Sequence, residues 1–400
     1  MDIKELFKGV AVVIDDKIND KESGDLILNI IEKLEKENIP LLKYNDIPDE
    51  NIISDFNNVS FILLDWELFE KPEGMYFDEK PFIDNVINFI KILQQVTFVP
   101  IFIFSHLESD TIITKLSEED LYNDRSSNYI FVKKKSDLIS DEDENKVFTE
   151  IENWLKQTPS IYVLKEWENQ LNQAKNKLFW DFYNINHKWP SVLQKTFTDD
   201  GSDVNYELGN FIFKNIMART EPIKFDEKIL SISDDELSKD ELRKVLEAER
   251  FIRNESLPDI PHTGDIFRYS VNGEKNDRYY LNIRPECDIA RKRNPELYCL
   301  KGKIINEDDI NPEEQKDNEI RFVNGAFIEK VNKIYLPFVI FGKIIEFTLN
   351  DIKIQKWNSI KADRIGRILP PYITAIQQKY SFYLQRQGLP AIPEKAIVNN

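Results

Sequence analysis

Four apolar runs in the first third of the sequence stop on residues that can do chemistry. Each run is four or five residues long, and each is followed by a carboxylate, a hydroxyl or an amine: 10–14 by Asp15 and Asp16, 61–64 by Asp65, 100–104 by Ser105, and 129–132 by Lys133. Short apolar runs bounded by polar segments predict strands that are buried on both faces of a parallel sheet. Because open α/β sheets bind ligands beyond the carboxyl ends of their strands, we expect these side chains to lie together.

The chemistry of such a set is phosphoryl transfer with a divalent cation. Three carboxylates at one sheet edge repel one another unless a cation offsets their charge, and Mg²⁺ binds carboxylate and phosphate oxygens. An aspartate nucleophile forms an acyl phosphate, and a lysine and a metal stabilise the transferred charge. Taken singly, the aspartates are typical of turns, Ser105 of a helix cap and Lys133 of a solvated lysine run. The ordered set of four favours a phosphoacceptor site.

The same residues carry a resemblance to a known family. The strand ends resemble those of the receiver domain of bacterial response regulators, in the order Ile14-Asp15-Asp16, Leu64-Asp65, Phe104-Ser105 and Val132-Lys133. The resemblance covers residues 1–157. It implies that Asp65 accepts a phosphoryl group from a histidine kinase, that Asp15 and Asp16 hold Mg²⁺ with Asp65, and that Ser105 and Lys133 contact the phosphoryl oxygens.

Two positions depart from the family pattern. His106 follows the hydroxyl where the family has a small residue, and Lys134 follows the lysine where the family has a proline. A bulky His106 is able to narrow access to Asp65, although a surface histidine is an equally good interpretation. A pseudo-receiver that serves as a protein-interaction scaffold is therefore the alternative.

Residues 1–157 alternate apolar runs with helical patterns. This alternation predicts a doubly wound α/β domain with a five-stranded parallel sheet. The predicted second strand is 40–44, and the apolar spacing of 26–34, 82–93 and 144–156 predicts helices around it. In the last helix, Val147, Ile151, Trp154 and Leu155 are the predicted core residues.

Residues 158–258 read as a helical connector. Apolar residues step by three or four along the first part of this region, at Leu164, Trp167, Leu171, Ala174, Leu178, Phe182 and Ile185. This stripe predicts a helix that packs on a core, with a dimerising helix and hence a homodimer as the alternative. Further helices are predicted at 205–219 and 240–253, with an acidic loop between them.

Residues 259–400 are predicted to form a small β-rich, barrel-like domain that closes with a helix. Alternating aromatic and β-branched residues predict strands after Pro261 and at 279–283, 298–305, 319–323 and 334–341. Pro370 and Pro371 then open a helix whose apolar face includes Ile373 and Ile376. The segments 264–267 and 280–283 weakly resemble the opening of the small barrel of MazF-like proteins, which by itself implies no ribonuclease activity.

The third region also contains a candidate site of its own. Cys287 and His262 form a conceivable catalytic pair, although a small buried cysteine at a strand end is the better interpretation of Cys287. Arg284 and 291–293 form a local basic cluster that would suit an anionic ligand or an acidic partner, with a solvated loop as the commoner alternative. Cys287 and Cys299 stand twelve apart, which is not the spacing of a zinc site.

Composition narrows the class of protein. A chain of 400 residues with 41% hydrophobic residues is long enough for two or three packed domains. Its formal net charge of −18 disfavours nucleic acid and anionic lipid as partners. The two cysteines, and the absence of a long apolar run or a signal-peptide pattern, lead us to expect a cytoplasmic protein without a membrane segment.

These observations lead us to expect a two-component signalling protein. Phosphorylation of Asp65 would shift an equilibrium that the connector passes to an output module, which has none of the usual DNA-binding helices and acts on a downstream protein partner. Such a regulator would suit a phage-defence operon, by resemblance alone. An effector enzyme with its site in the carboxy-terminal barrel is the second alternative.

Overall fold

The chain divides into two compact units. A computed structural model describes residues 3–20, 26–69, 77–123, 128–140, 143, 145–231, 238–270, 277–290, 294–305, 328–330, 332–340 and 342–386. The first unit comprises Met1–His187 and Phe213–Ser231, and the second comprises Lys188–Ile212 and Ile232–Asn400. The parallel sheet lies in the first unit and the antiparallel sheet in the second.

The first unit is built on a five-stranded parallel sheet, as predicted. Its strands are β1 (Ala11–Ile14), β2 (Leu41–Tyr44), β3 (Ile62–Leu64), β4 (Ile101–Ser105) and β5 (Ile130–Lys134). They are arranged in the order β2-β1-β3-β4-β5, and every pair is parallel. In this arrangement the strand order reverses between β1 and β3, which is the switch point where such sheets bind ligands.

Helices cover both faces of this sheet. In chain order they are α1 (Ile3–Leu6), α2 (Leu26–Lys36), α3 (Glu50–Ile53), α4 (Lys80–Val96), α5 (Ser109–Glu118), α6 (Lys146–Leu155) and α7 (Pro159–Ile185). Alternate strand residues enter two separate cores: Val13, Leu63 and Phe104 pack with α2 and α6, whereas Ile14 and Leu64 pack with α3, α4 and α5. A strand with apolar residues at every position is thereby buried on both faces.

Helix α7 is longer than the predicted stripe, and only part of that stripe is buried. Ala174 and Leu178 are buried, as predicted, whereas Trp167 and Ile185 are exposed. The chain continues through α8 (Trp189–Asp199), α9 (Val204–Arg219), α10 (Glu227–Leu230) and α11 (Lys239–Arg250). Within the described ranges, no helix is both long enough and apolar enough to cross a membrane.

The second unit contains a curled antiparallel sheet. Its strands are β6 (Phe251–Arg253), β7 (Asp265–Tyr269), β8 (Arg278–Asn282), β9 (Glu296–Ile305), β10 (Ile328–Lys330), β11 (Lys333–Ile340), β12 (Lys343–Lys356) and β13 (Arg364–Ile368). Their order is β10-β11-β12-β9-β8-β7-β13-β6. The predicted β-rich character is confirmed, and the described strands form a half-barrel. The predicted strand 319–323 lies outside the described residues.

Both faces of this sheet carry apolar residues. Ile266 and Leu281 pack on one side with α14 (Tyr372–Gln385), the predicted terminal helix, and Phe267 packs on the other side with α13 (Trp357–Ile360). The long strand β12 and the strand β13 were not predicted. In β12 the residues after Leu349 are mostly polar and exposed, and only Ile352 and Ile354 supply an apolar alternation there.

Candidate functional site

The predicted site residues that follow β1 and β3 meet at the switch point of the parallel sheet. Asp15 follows β1 and Asp65 follows β3, and the Asp65 amide donates to the Ile14 carbonyl at 2.8 Å. Each aspartate also accepts a hydrogen bond from the amide two residues later, of Lys17 at 2.9 Å and of Glu67 at 3.2 Å. Aspartates commonly accept such hydrogen bonds in turns. Here the bonds also hold the two carboxylates at the strand ends.

Three carboxylates converge there. Asp15, Asp16 and Asp65 each offer an oxygen, and these oxygens lie within 4.8 Å of one another. Asp15 is fully buried, Asp65 is 3% exposed and Asp16 is half-buried. Oxygens of this number and spacing suit a hard divalent cation, so the cluster could hold a metal ion.

The cation at this cluster is Lys135. Its Nζ donates to Asp15 Oδ2 at 2.8 Å and to Asp65 Oδ2 at 2.9 Å, and its side chain is fully buried. Lys135 is the first residue of a 3-10 turn, Lys135–Leu138, that follows β5, and Leu138 anchors this turn in the core. A second lysine, Lys17, lies at the edge of the cluster with its Nζ 4.0 Å from Asp16 Oδ2. Two ammonium groups against three carboxylates leave the cluster with excess negative charge when all three are ionised.

The acid–base properties of this cluster follow from its burial. Burial raises the pKa of Asp65 to about 8; Lys135 opposes the rise and the charge of Asp15 adds to it. Burial also disfavours the charge of Lys135, but the carboxylates of Asp65 and Asp15 outweigh this effect and raise the pKa of its ammonium. Lys135 therefore remains a cation, and Asp65 is the group whose charge responds to a ligand near neutral pH.

Lys133, the lysine named from the sequence, lies outside the cluster. Its Nζ donates to Glu150 Oε2 of α6 at 2.8 Å. Strand β5 continues two residues beyond Val132, and side chains in a strand alternate between its faces. Lys133 therefore shares the face of Phe131, which packs against the α6 side. The lysine that contacts Asp15 and Asp65 is Lys135.

Ser105 lies at the end of β4, on the strand between β3 and β5. It is fully buried, its Oγ donates to Glu67 Oε2 at 3.2 Å, and it accepts a hydrogen bond from the Leu107 amide at 3.2 Å. Glu67 was not singled out from the sequence. Its position two residues after Asp65, in the same turn, was the only available signal.

The two departures from the receiver pattern are both at the surface. His106 is exposed. Lys134 forms an ion pair with Glu108, the residue before α5, which raises the pKa of the Lys134 ammonium through the hydrogen bond and the opposite charge. Asp65 itself is in contact with Lys135 and with the Glu67 amide of its own turn.

The candidate residues of the second unit have other surroundings. His262 Nδ1 lies 2.7 Å from Glu286 Oε2. Arg284 is buried, and its Nη1 donates a hydrogen bond to the Glu296 carbonyl at 2.5 Å. Cys287 is exposed on α12 (Glu286–Ala290), which corrects the expectation of a buried cysteine at a strand end. The remaining basic positions, 291–293, lie outside the described residues.

A second buried charge cluster was not recognised from the sequence. Asp265 is fully buried. Its carboxylate accepts hydrogen bonds from Arg367 Nε and from the His262 amide, each at 2.7 Å. Arg364 Nη1 lies 3.7 Å from the same carboxylate. Arg364 also donates to Asn254 and to backbone carbonyls. Nothing in the sequence singles out these two arginines, because β13 carries no clear strand pattern.

Two comparisons with known proteins found no match for this chain. No protein-family model matches it, and no curated protein matches it either. Its function must therefore be argued from the site itself.

Proposed function

We propose that the first unit is a phosphoacceptor domain of the response-regulator receiver type and that Asp65 is its acceptor. The observation that carries the proposal is the carboxylate cluster with its buried lysine at the switch point of a β2-β1-β3-β4-β5 sheet. Ser105, at the end of the neighbouring strand, supplies a hydroxyl on the same edge. The unit would act in two-component signalling, with a histidine kinase as its donor.

The proposed reaction moves one phosphoryl group. A carboxylate oxygen of Asp65 attacks the phosphorus of a phosphohistidine, a P–O bond forms as the P–N bond breaks, and the electron pair leaves with the imidazole nitrogen. Lys135 offsets the negative charge that accumulates, and the Ser105 hydroxyl is the donor for a phosphoryl oxygen. The product is an acyl phosphate on a strand end.

The cluster also fits the cofactor that such a reaction uses. Asp15, Asp16 and Asp65 would hold Mg²⁺, which when bound supplies positive charge to the phosphoryl oxygens. Lys135 and Lys17 together carry one positive charge fewer than three ionised carboxylates carry negative charges, so the residues themselves favour an added cation. A bound cation would also favour the ionised form of Asp65, which is the nucleophilic form.

The readout of phosphorylation would lie in the rest of the chain. A phosphoryl group adds charge and acceptor oxygens at a buried edge, and such a change can bias a two-state element. We propose that the antiparallel unit is an output module that acts on a protein partner. The net charge of −18 supports a partner other than nucleic acid.

A pseudo-receiver scaffold is the second candidate, and one observation favours it. Lys135 already makes hydrogen bonds to Asp15 and Asp65, and all three side chains are buried, so the cluster is internally paired. A scaffold would retain this pairing for stability and would take no phosphoryl group.

Labelling with small phosphodonors distinguishes the two candidates. We would incubate the full chain with Mg²⁺ and either acetyl phosphate or phosphoramidate, and follow its intact mass. A phosphoryl adduct is expected in the original protein and in Asp137→Asn, an exposed carboxylate control, and none is expected in Asp65→Asn or in the presence of a chelator. A folded protein that neither donor labels would support the scaffold.

A further inference from the structure

The Ser105 hydroxyl already donates a hydrogen bond within the protein. A serine hydroxyl has one proton to donate, and Ser105 donates it to Glu67 Oε2 at 3.2 Å. The Leu107 amide donates to the same Oγ and so occupies an acceptor position without freeing the proton. Since Ser105 is fully buried, water cannot readily substitute for Glu67 as the partner.

Glu67 is tied to the proposed acceptor through its backbone. Its amide donates to Asp65 Oδ1 at 3.2 Å, so its side chain extends from the turn that carries the acceptor. Glu67 is not one of the three carboxylates that converge as a potential cation site. Its carboxylate therefore contacts the hydroxyl side of the site, whereas Asp15 and Asp16 form the cation side.

A phosphoryl group on Asp65 would compete with Glu67 for Ser105. The group carries a charge of about −1.5 to −2 and three acceptor oxygens, and it needs hydrogen-bond donors in a buried position. A second carboxylate beside it adds like charge. The 3.2 Å separation between Ser105 Oγ and Glu67 Oε2 exceeds the usual distance of about 2.7–2.8 Å for such bonds, so the hydroxyl can be exchanged between acceptors.

We propose that Glu67 lowers the rate of phosphorylation of Asp65, because its carboxylate keeps the Ser105 hydroxyl from the incoming phosphoryl group. We call this effect the brake. The inference rests on the proposed phosphoacceptor function. Glu67 is a positioning residue that acts through Ser105, and phosphorylation is completed when the hydroxyl transfers its hydrogen bond from Glu67 to a phosphoryl oxygen. A signal that draws Glu67 away from Ser105 would then raise the rate of phosphorylation.

A double-mutant cycle tests this coupling. We would measure the rate of labelling by acetyl phosphate and Mg²⁺ in the original protein, Glu67→Ala, Ser105→Ala and the double variant. Glu67→Ala is expected to label about tenfold faster, the size of effect that one released hydrogen bond can give. In the Ser105→Ala background the same change should have no effect, because the hydroxyl is absent.

Two further variants control for charge and folding. Glu67→Gln keeps an oxygen acceptor for Ser105 and should label at a rate between those of the original protein and Glu67→Ala. Glu108→Ala removes an exposed carboxylate that pairs with Lys134 and should label like the original protein. Equal rates for Glu67→Ala and the original, or an acceleration that persists in the Ser105→Ala background, would overturn the proposal.

A second measurement needs no phosphodonor. Hydrogen exchange of the Leu107 amide should become faster in Glu67→Ala than in the original protein, because Ser105 loses the partner that fixes its Oγ. Unchanged exchange would contradict the claim that Glu67 holds the hydroxyl.

The outcomes separate the brake from the phosphoacceptor function. Labelling of the original protein with no effect of Glu67→Ala removes the brake and keeps the function. Labelling of Glu67→Ala alone supports the brake and limits the function to the released state. Labelling of neither protein overturns both.

Discussion

Each unit of this chain buries a carboxylate against a cation, but the two clusters have opposite charge balance. In the parallel sheet one lysine, Lys135, faces the buried pair of Asp15 and Asp65. In the antiparallel sheet one carboxylate, Asp265, lies beside two arginines. The first cluster has carboxylate oxygens in excess of cations, and the second has cations in excess of carboxylates.

The remaining hydrogen bonds of the two clusters differ in the same way. The spare donors of Arg364 go to Asn254, the Ile260 carbonyl and the Pro258 carbonyl, and Arg367 also donates to the Ile260 carbonyl. These bonds link β13 to the segment 254–260 and leave the Asp265 cluster satisfied by the protein itself. Burial alone therefore does not mark a functional site. An excess of carboxylates over cations at the switch point of a parallel sheet is the more informative feature.

The largest predicted effect lies in the antiparallel unit. Arg367→Met would remove the closest cation from the buried Asp265 carboxylate, and breaking such a pair costs about 3–5 kcal/mol of unfolding free energy. Mg²⁺ should not restore the loss, because Asp265 belongs to no group of three or more potential metal ligands among the described residues. Urea unfolding, with hydrogen exchange of β7 and β13, would measure the effect.

A matched exposed pair provides the control for that change. Lys361 Nζ donates to Asp259 at 2.7 Å, a similar distance, but both side chains are exposed. Lys361→Met should leave the urea midpoint almost unchanged. If Arg367→Met and Lys361→Met had equal effects, Asp265 would not depend on a buried ion pair.

A smaller loss is predicted for Lys135→Met in the parallel unit. The variant leaves Asp15 and Asp65 buried without their lysine, but Asp65 can take up a proton, so we expect a loss of about 2–3 kcal/mol. In contrast with Arg367→Met, millimolar Mg²⁺ should recover part of this stability. Urea unfolding of both variants with and without Mg²⁺ makes the comparison, and equal responses to Mg²⁺ would contradict it.

The stability of the parallel unit should also depend on pH through Asp65. Because burial raises the pKa of Asp65 to about 8, the folded protein holds a proton there that the unfolded chain releases near pH 4. This contribution to stability is complete below about pH 4 and is lost as the pH rises towards 8.

Asp65→Asn isolates this contribution. From pH 6.5 to 8 the original protein should lose about 1–2 kcal/mol of unfolding free energy relative to Asp65→Asn. Urea titrations at several pH values, without added Mg²⁺, would measure the difference. Parallel curves for the two proteins would show that Asp65 has an ordinary pKa.

The smallest effect is predicted for Lys133→Ala. Lys133 pairs with Glu150 on the partly exposed face of β5, and such pairs contribute about 0–1 kcal/mol. Labelling by acetyl phosphate should be unchanged in Lys133→Ala and should fall in Lys135→Met. The reverse result would return the role of the site lysine to Lys133.

The sequence was a good guide where burial and chain direction act together. Short runs of consecutive apolar residues predicted the buried parallel strands. Because these strands are parallel, Asp15, Asp65 and Ser105 at their carboxyl ends lie at one edge of the sheet. The lysine could not be chosen in this way, since 133–135 are all lysines. The period-two pattern of Ile130 and Val132 against Phe131 assigns Lys133 to the α6 face, but Lys135 has the same parity. Lys135 contacts Asp15 and Asp65 from a 3-10 turn after the strand, where strand alternation no longer applies.

The antiparallel unit was harder to predict for a physical reason. One stretch of β12, after Leu349, is largely exposed, and β13 carries Arg364 and Arg367 among its few residues. Their burial depends on partners more than a hundred residues away, such as Asn254 and Asp265. Such long-range pairing of polar residues leaves no periodic pattern in a single sequence.

The position of the phosphoryl group is the most direct test of the account. After labelling with acetyl phosphate and Mg²⁺, reduction with borohydride converts an aspartyl phosphate to homoserine, which peptide mass spectrometry can locate. We predict conversion at Asp65, with none at Asp15, Asp16 or the control Asp137. Conversion at another aspartate, or none in a folded protein that binds Mg²⁺, would contradict the assignment of Asp65 as the acceptor.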